Sequence, residues 1–527
     1  MKRIYLLSVA ALISGIAFAG GIITNTNQSA MFTRLQARDA TLGIDAVYYN
    51  PAGLTLLPNN GLYISLNNQV IGQTRTITSD YDNLNQSKYL GDVFAPLFPG
   101  VYVAYKMNKL CVSAGFNPIG GGGGGTYEDG LPSFEYNIAD LVPALTSQGV
   151  TGYRSDVYFE GSSTYFGYQL NLSYKINDMF SVALGGRLVT ARDAYNGYLR
   201  DVEVNVGGAW TRADIVIMGI ANQAYGAADN LDPLISGGLG SLTPAEAEAA
   251  GYIDEATQLT IEGGLSAFGI DPTNLTIEQA QGAFNQVGAE YEAKANLLGD
   301  QEAETEKTAM GFTPIISVNI HPIDALNIAI KYEHSTTLEF ENNTTQDFTT
   351  GIDPSTGTPI TMFPDGAKSR YDIPAQLTVG ATYDLLDQLM LSGSFHYYFD
   401  KQADWEGRED ELDGNSLELG LGIEYSLSEK LAISAGYLYT QTGATETYQT
   451  DLSYSLPTST FGGGFAYSIT PKLEVNLGGS YTLYQDGERN FDHDLAGSGL
   501  MIPVKETYDK GTWIVAVGLN FNLSAGK

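Results

Sequence analysis

Apolar and polar residues alternate with a period of two along segments of about ten residues, the length a tilted strand needs to cross a bilayer. The last segment shows it most clearly. From Thr512 to Leu523, the residues Trp513, Val515, Val517, Leu519, Phe521 and Leu523 share one face, while Thr512, Ala516, Gly518, Asn520 and Asn522 share the other. Leu473, Val475, Leu477, Tyr481 and Leu483 alternate in the same way with Glu474, Asn476, Ser480 and Thr482. Fourteen such segments are expected at about 61–72, 99–107, 110–118, 163–176, 179–192, 307–320, 325–341, 371–384, 388–400, 416–427, 430–442, 459–470, 472–485 and 511–523. Short connections such as Met107-Asn108-Lys109 and Leu386-Asp387-Gln388 alternate with long polar ones at 73–98, 119–162, 193–306, 342–370, 401–415, 443–458 and 486–511. A soluble sandwich also alternates, but its loops show no such asymmetry. The pattern predicts an all-β fold, a transmembrane antiparallel barrel of about 14 strands with both termini on the short-turn side.

Three parts of the chain do not follow the alternation. Lys2-Arg3, the apolar run Ile4 to Phe18 and Ala17-Phe18-Ala19 before Gly20 read as a signal peptide over residues 1–19. Residues 20–60 contain apolar residues and an Asn-Pro turn without strand periodicity, so they are expected to form either a periplasmic tail or a plug inside the lumen. The 61–527 remainder is the barrel, and its 193–306 loop carries helix signals. Thr243-Pro244 before Ala-Glu-Ala-Glu-Ala-Ala is an N-cap with proline at the first helical position, and Thr276-Ile277-Glu278-Gln279 is a capping box opening a helix to about Leu298. These helices are expected to build an extracellular platform that captures ligand, with Phe284, Val287, Tyr291 and Leu298 along one face of the second.

Composition narrows the function. With 60 Asp+Glu against 27 Lys+Arg, a net charge of −33 argues against nucleic acid as a partner. A single cysteine, Cys111, excludes an internal disulfide framework and a Cys-based zinc site, and it reads as an outward-facing or interfacial strand residue. No metal site is expected: the acidic stretch Asp400 to Asp413 does not fit the ligand spacing of an EF-hand. No catalytic set and no cofactor motif emerge, because the six glycines Gly120 to Gly125 precede no phosphate-binding helix. An enzyme is therefore not expected.

Gly43-Ile44-Asp45-Ala46-Val47-Tyr48-Tyr49-Asn50-Pro51-Ala52-Gly53-Leu54, just before the first strand, resembles the Asn-Pro-Ala segment of the FadL/TodX family of outer-membrane transporters for long-chain fatty acids and aromatic hydrocarbons. Asn171 to Asp178 followed by Gly185-Gly186, Ile373-Pro374-Ala375-Gln376-Leu377, and Leu456-Pro457 leading to Phe461 through Tyr467 are similar to the family in the same order. The resemblance implies that residues 20–60 form a hatch in the lumen, with Asn50, Pro51 and Ala52 as a turn against the wall. It also implies that hydrophobic ligands are captured on helical outer loops and leave sideways. A cation near a ligand carboxylate is similarly implied; family alignment places Arg192 there, whereas strand parity turns Arg187 inward, and both are kept.

Lumen-facing Lys331 is either solvated wall or ligand contact, and Phe284 and Tyr291 are further ligand candidates on the outer helix. A lateral opening is expected at the third strand, where Asn117 and Pro118 meet Gly120 and Gly121: proline supplies no ladder N–H and glycine no side chain to hold register. The expected function is a passive, plugged channel for hydrophobic small molecules such as long-chain fatty acids, in the bacterial outer membrane. A monomer in contact with lipid and lipopolysaccharide is expected. A general diffusion porin and an adhesin-like barrel are the alternatives, and neither requires a plug.

Overall fold

The computed structural model describes residues 24, 29–353 and 358–524; the expected signal peptide lies outside them. Fourteen wall strands form one closed antiparallel sheet. They are β1 Gly61–Ser79, β2 Lys88–Met107, β3 Leu110–Tyr127, β4 Val150–Lys175, β5 Phe180–Val206, β6 Gln301–Ile323 and β7 Leu326–Glu333, which resumes as Glu339–Gln346. The second half comprises β8 Gln376–Leu386 (preceded by Lys368–Arg370), β9 Leu389–Tyr398, β10 Leu417–Ser428, β11 Leu431–Gln441, β12 Thr458–Thr470, β13 Leu473–Tyr484 and β14 Met501–Ser524. Closure is made by β1, which pairs with β2 on one side and with β14 from Gly61↔Ser524 to Ser79↔Glu506 on the other. No sheet edge is left where β1 and β14 meet.

All fourteen segments fall where the alternation places them, and at the short-turn end the bounds agree within a few residues. Tight turns there include Asn108-Lys109, Asp387-Gln388, Glu429-Lys430 and Pro471-Lys472, with Asn108 at φ 54°, a left-handed value that asparagine tolerates. At the other end the strands run further than expected. Strands β4 and β5 extend to 26 and 27 residues, and much of the expected 73–98, 119–162 and 193–306 loops is strand. Along much of these extensions both faces carry polar residues, as in Gln73-Thr74-Arg75-Thr76 and Thr305-Glu306-Lys307-Thr308, and alternation gives little signal.

Parity along the strands separates lipid from lumen. Leu170, Leu172, Leu184, Phe312, Leu421, Phe461 and Val515 stand exposed on the outer face, while Ser113, Asn171, Ser173, Asn319, Asn327 and Asn476 are buried inside. Cys111 corrects its expected placement: it is fully buried on the inner face, in the cluster that includes Val47, Tyr102 and Ile119. Its outward neighbours Leu110 and Val112 fix that parity.

The lumen is filled by residues 29–57, nearly all of them buried. Helix Ala30–Arg34 is capped by Ser29, whose hydroxyl accepts from Phe32 N at 3.1 Å; a second short helix is Ala46–Tyr49, and Pro51–Leu56 is a 3₁₀ turn. Ring stacking of Phe32 on Tyr49, with centroids 5.6 Å apart, ties the first part of this hatch to the second. The hatch backbone lies so close to the wall that side chains are missing opposite it. A Cβ on Gly380 would meet Ala40 N at 2.6 Å, and one on Gly478 would meet Arg34 N at 2.9 Å. Replacing Gly380 by Val is expected to displace the segment around Asp39-Ala40, to cost about 1–3 kcal/mol, and to raise ion conductance in planar bilayers. Parent-like conductance from a folded Gly380→Val barrel would show that the contact does not seal the lumen.

Candidate functional site

Side chains on the inner wall hold the hatch along its length. Asn50 caps the 3₁₀ turn, accepting from Gly53 N at 3.2 Å, and its amide donates to Thr41 O at 3.1 Å and to Asn319 Oδ1 at 2.7 Å. Pro51 O accepts from Ser173 Oγ at 2.6 Å, and Ala52 N lies 3.5 Å from Ser317 Oγ. The Asn50-Pro51-Ala52 turn thus sits against β4 and β6. Ala40 O accepts from Asn327 at 2.9 Å, and Val47 O accepts from both Gln169 and Asn171 at 2.9 and 3.1 Å.

Ionic groups complete the grip. Arg34 pairs with Glu424 and donates to Asn476 Oδ1 at 3.0 Å, while Asp39 of the hatch pairs with His396 on β9. The other ring nitrogen of His396 is 2.8 Å from Glu418, which also accepts from Tyr398 and Thr440 at 2.7 and 2.8 Å. Within the hatch, Arg38 makes a two-pronged bond to Asp45 at 2.8 and 2.9 Å. Arg187 is fully inside and engages Glu333 at 2.6 and 3.0 Å and Gln169 at 3.1 and 2.7 Å. Lys331 reaches the same Glu333 at 2.7 Å and Tyr48 O at 2.9 Å, so both cations flank the Tyr48 ring.

Arg192 lies elsewhere. It is exposed on the outer face of β5, paired with Glu306 at 2.7 Å, because adjacent strand residues at Ala191 and Asp193 are the ones that point in. Phe284 is buried among Ala228, Ile261, Leu265 and Ala280, and Tyr291 is partly buried against the cluster of Val202, Ile217 and Leu298. Both therefore pack the outer helices onto one another and onto the strand extensions. Both capping boxes form, at Thr243/Glu246 and Thr276/Gln279. Two helices escaped the sequence reading. Ala213–Asp229 has no side-chain cap bond, and Glu255–Ala267, capped by Asp254, is interrupted by Gly263-Gly264.

Above the hatch is a cavity of about 420 Å³. Its floor is Phe32, Thr33 and Gln36; β11 to β14 give it a hydroxyl-rich side with Thr440, Thr460, Thr482 and Thr512; Tyr127, Leu131, Phe159, Tyr195 and Tyr454 close it toward the long loops. On its remaining side it reaches Ala95 and Phe98 of β2 and Ile119, Gly120 and Gly121 of β3. There the wall is incomplete. Pairing of β2 with β3 runs from Met107↔Leu110 to Val101↔Phe116, stops, and reappears only at Asp92↔Thr126.

The opening has a local chemical cause. Pro96 and Pro99 on β2 and Pro118 on β3 carry no N–H, so three ladder donors are missing from its two edges. Gly121 has φ 85°, and the β3–β4 register slips twice, between Pro118 and Gly120 and between Gly120 and Gly123. Side chains take over some of the freed backbone groups: Asn68 donates to Pro96 O at 3.3 Å and accepts from Phe98 N at 3.0 Å, and Asn117 donates to Pro118 O at 3.0 Å. Pro96 lay in the expected 73–98 loop and Pro99 at the first position of the expected 99–107 strand, so only the β3 edge was legible as an interruption.

The loop helix Pro132–Ala139 covers the mouth. Ser133 N donates to Asp451 Oδ2 at 2.8 Å, and Tyr153 donates to Glu135 at 2.7 Å. Burial pushes both carboxyls above their ordinary range, while the bonds to Ser133 and Tyr153 pull the other way. A raised folded-state value favours docking of the protonated form, so this contribution is fully present below the unfolded-state range and is lost as pH rises through the raised values. Protection factors of amides in 128–149, taken against intrinsic exchange at each pH, are therefore expected to be highest in acid and to fall toward neutral pH, with a flatter profile in Glu135→Gln. A profile independent of pH would contradict this.

A closed fourteen-strand barrel, filled by a hatch, with the β2–β3 ladder interrupted beside a roofed cavity, is the class that fold and site define. Comparison with known proteins agrees. A Pseudomonas aeruginosa FadL homologue superposes with a TM-score of 0.57 at 12% identity, over 95% of this chain and 99% of that one. The Pseudomonas putida toluene transporter TodX gives 0.50 at 12% identity, over 92% and 95%, and a deltaS2 mutant of the TodX monoaromatic hydrocarbon channel gives 0.53 at 12%, over 95% and 99%. The chain has the fold of these proteins. Residues 363–495 match a family model described as a putative MetA-pathway of phenol degradation. No curated protein matches the sequence.

Proposed function

We propose that the protein is a passive channel of the bacterial outer membrane for hydrophobic small molecules, long-chain fatty acids and aromatic hydrocarbons being the candidate classes, and that it releases them sideways into the membrane. The carrying observation is the side opening. A cavity whose floor is a hatch held by buried ion pairs has its apolar exit between β2 and β3, where Phe94 and Leu97 stand exposed on the outer face. A hydrophobic solute that enters beneath helix Pro132–Ala139 reaches hydrocarbon through that exit without crossing the polar lumen around the hatch. The likeness to a toluene transporter supports the same reading. In this orientation the short turns face the periplasm, and the helices between β5 and β6 stand outside the cell as a platform for ligand capture.

The test is to close the opening. Replacing Asn117 to Gly122 by alternating Val and Thr restores donors and side chains to the β3 edge, and toluene uptake into cells carrying this barrel is expected to fall sharply. Uptake at the parent rate by a correctly folded variant would show that the ligand does not leave there.

A further inference from the structure

We infer that the cavity is a binding site for an aromatic acid, its carboxylate held between Arg75 and Lys510 and its ring among the neighbouring tyrosines. This rests on the channel reading and narrows its substrate class. Arg75 on β1 and Lys510 on β14 are direct cross-strand partners, and both line the cavity. Directly opposite residues of an antiparallel pair have Cβ atoms about 5 Å apart, close enough for one carboxylate to bond both.

Among the described residues, neither member of this pair makes an ion pair with a carboxylate. Most other lumenal cations do: Arg34 with Glu424, Arg38 with Asp45, and Arg187 and Lys331 with Glu333, while the buried Lys307 lies over the Tyr195 and Phe363 rings with Asp193 acting on it. Among the described residues, the groups that bear electrostatically on Arg75 are Tyr127, Tyr454 and Tyr484, and the one that bears on Lys510 is Arg75 itself. Arg75 Nε donates to Gln73 at 2.7 Å; Lys510 Nζ donates to Tyr454 O at 2.8 Å and lies 3.8 Å from the centre of that ring. These neutral contacts orient the two cations without neutralising them. The one carboxylate lining the cavity, Glu418, is committed to His396, Tyr398 and Thr440. Burial and the neighbouring Arg75 both push the Lys510 ammonium down towards its neutral form, and a carboxylate bound between the two side chains opposes that shift and holds the lysine charged. The guanidinium presents a fork that fits a carboxylate, with Nε already placed by Gln73.

The surroundings select an aromatic body. Tyr127, Tyr454 and Tyr484 surround the cations, and Phe98 and Phe159 continue the ring surface toward the side opening. A flat acid can rest its ring on these while its charge stays on β1 and β14.

The full chain in detergent is titrated with 2-naphthoate, decanoate and uncharged 2-methylnaphthalene, and the variants Arg75→Gln/Lys510→Met and Arg75→Lys are compared, with folding checked by heat-modifiable migration. Naphthoate is expected to bind more tightly than decanoate. The ratio of naphthoate to methylnaphthalene affinity is expected to drop about tenfold or more in the double variant, the weight of a charge-assisted hydrogen bond, and to be largely kept in Arg75→Lys. An unchanged ratio overturns the carboxylate site, and tighter binding of decanoate than naphthoate overturns the aromatic assignment. Failure of methylnaphthalene to bind or to be taken up by cells, with naphthoate binding intact, counts against the channel reading and leaves the anion site standing.

Discussion

Hydrocarbon offers no partner to a backbone N–H or C=O, and each group left unpaired there costs several kcal/mol. Almost everything in this barrel follows from meeting that demand: strands long enough to span, closure of β1 onto β14, and side-chain parity that puts leucines outward and asparagines inward. The interval between β2 and β3 is where the demand is lifted. Three prolines remove donors from its edges, and Asn68 and Asn117 satisfy part of what remains. The ladder that must otherwise be continuous is thereby interrupted at the height of the cavity, which is where the proposed exit lies.

An opening in the side is useful only if the lumen is shut. The hatch is held by charged groups on one stretch of the wall, Arg34 to Glu424 on β10, Asp39 to His396 on β9 and Lys331 of β7 to Tyr48 O, and by asparagine and glutamine amides elsewhere. Buried charges of this kind add little net stability, but removing one partner strands the other. Their effect is to fix one position of the hatch. The glycines opposite it, such as Gly380 and Gly478, let wall and hatch backbones approach too closely for water to pass between.

Period-two alternation made the strand number, the turns and the lumen side of Arg187 and Lys331 legible, because inside and outside differ sharply where lipid touches the wall. It failed on the outer parts of the strands, where polar residues occupy both faces of several of them. That is why Arg75 and Lys510 went unnoticed: the expected strands end at 72 and begin at 511, just short of them. Pro96 likewise fell in an expected loop, and Pro99 at the very start of an expected strand, although both lie within β2. Phe284 carries an apolar helical stripe that a sequence cannot divide between ligand and neighbouring helices, and the packing of Ile261 and Leu265 against it resolves the matter. Cys111 faces inward by the same parity that turns Leu110 and Val112 outward, and its small apolar side chain gave no signal of its own.

The central claim is that ligand leaves through the side while the hatch stays in place. The hydroxyls of Thr55 in the hatch and Ser181 on β5 lie 2.7 Å apart, which places a disulfide between hatch and wall without adding a side chain where none fits. In a Thr55→Cys/Ser181→Cys chain with Cys111 replaced by Ser, toluene uptake is measured before and after oxidation. The account predicts equal uptake in both states. Uptake that stops on oxidation and returns with reductant would mean that the hatch must move for ligand to pass, and would contradict it.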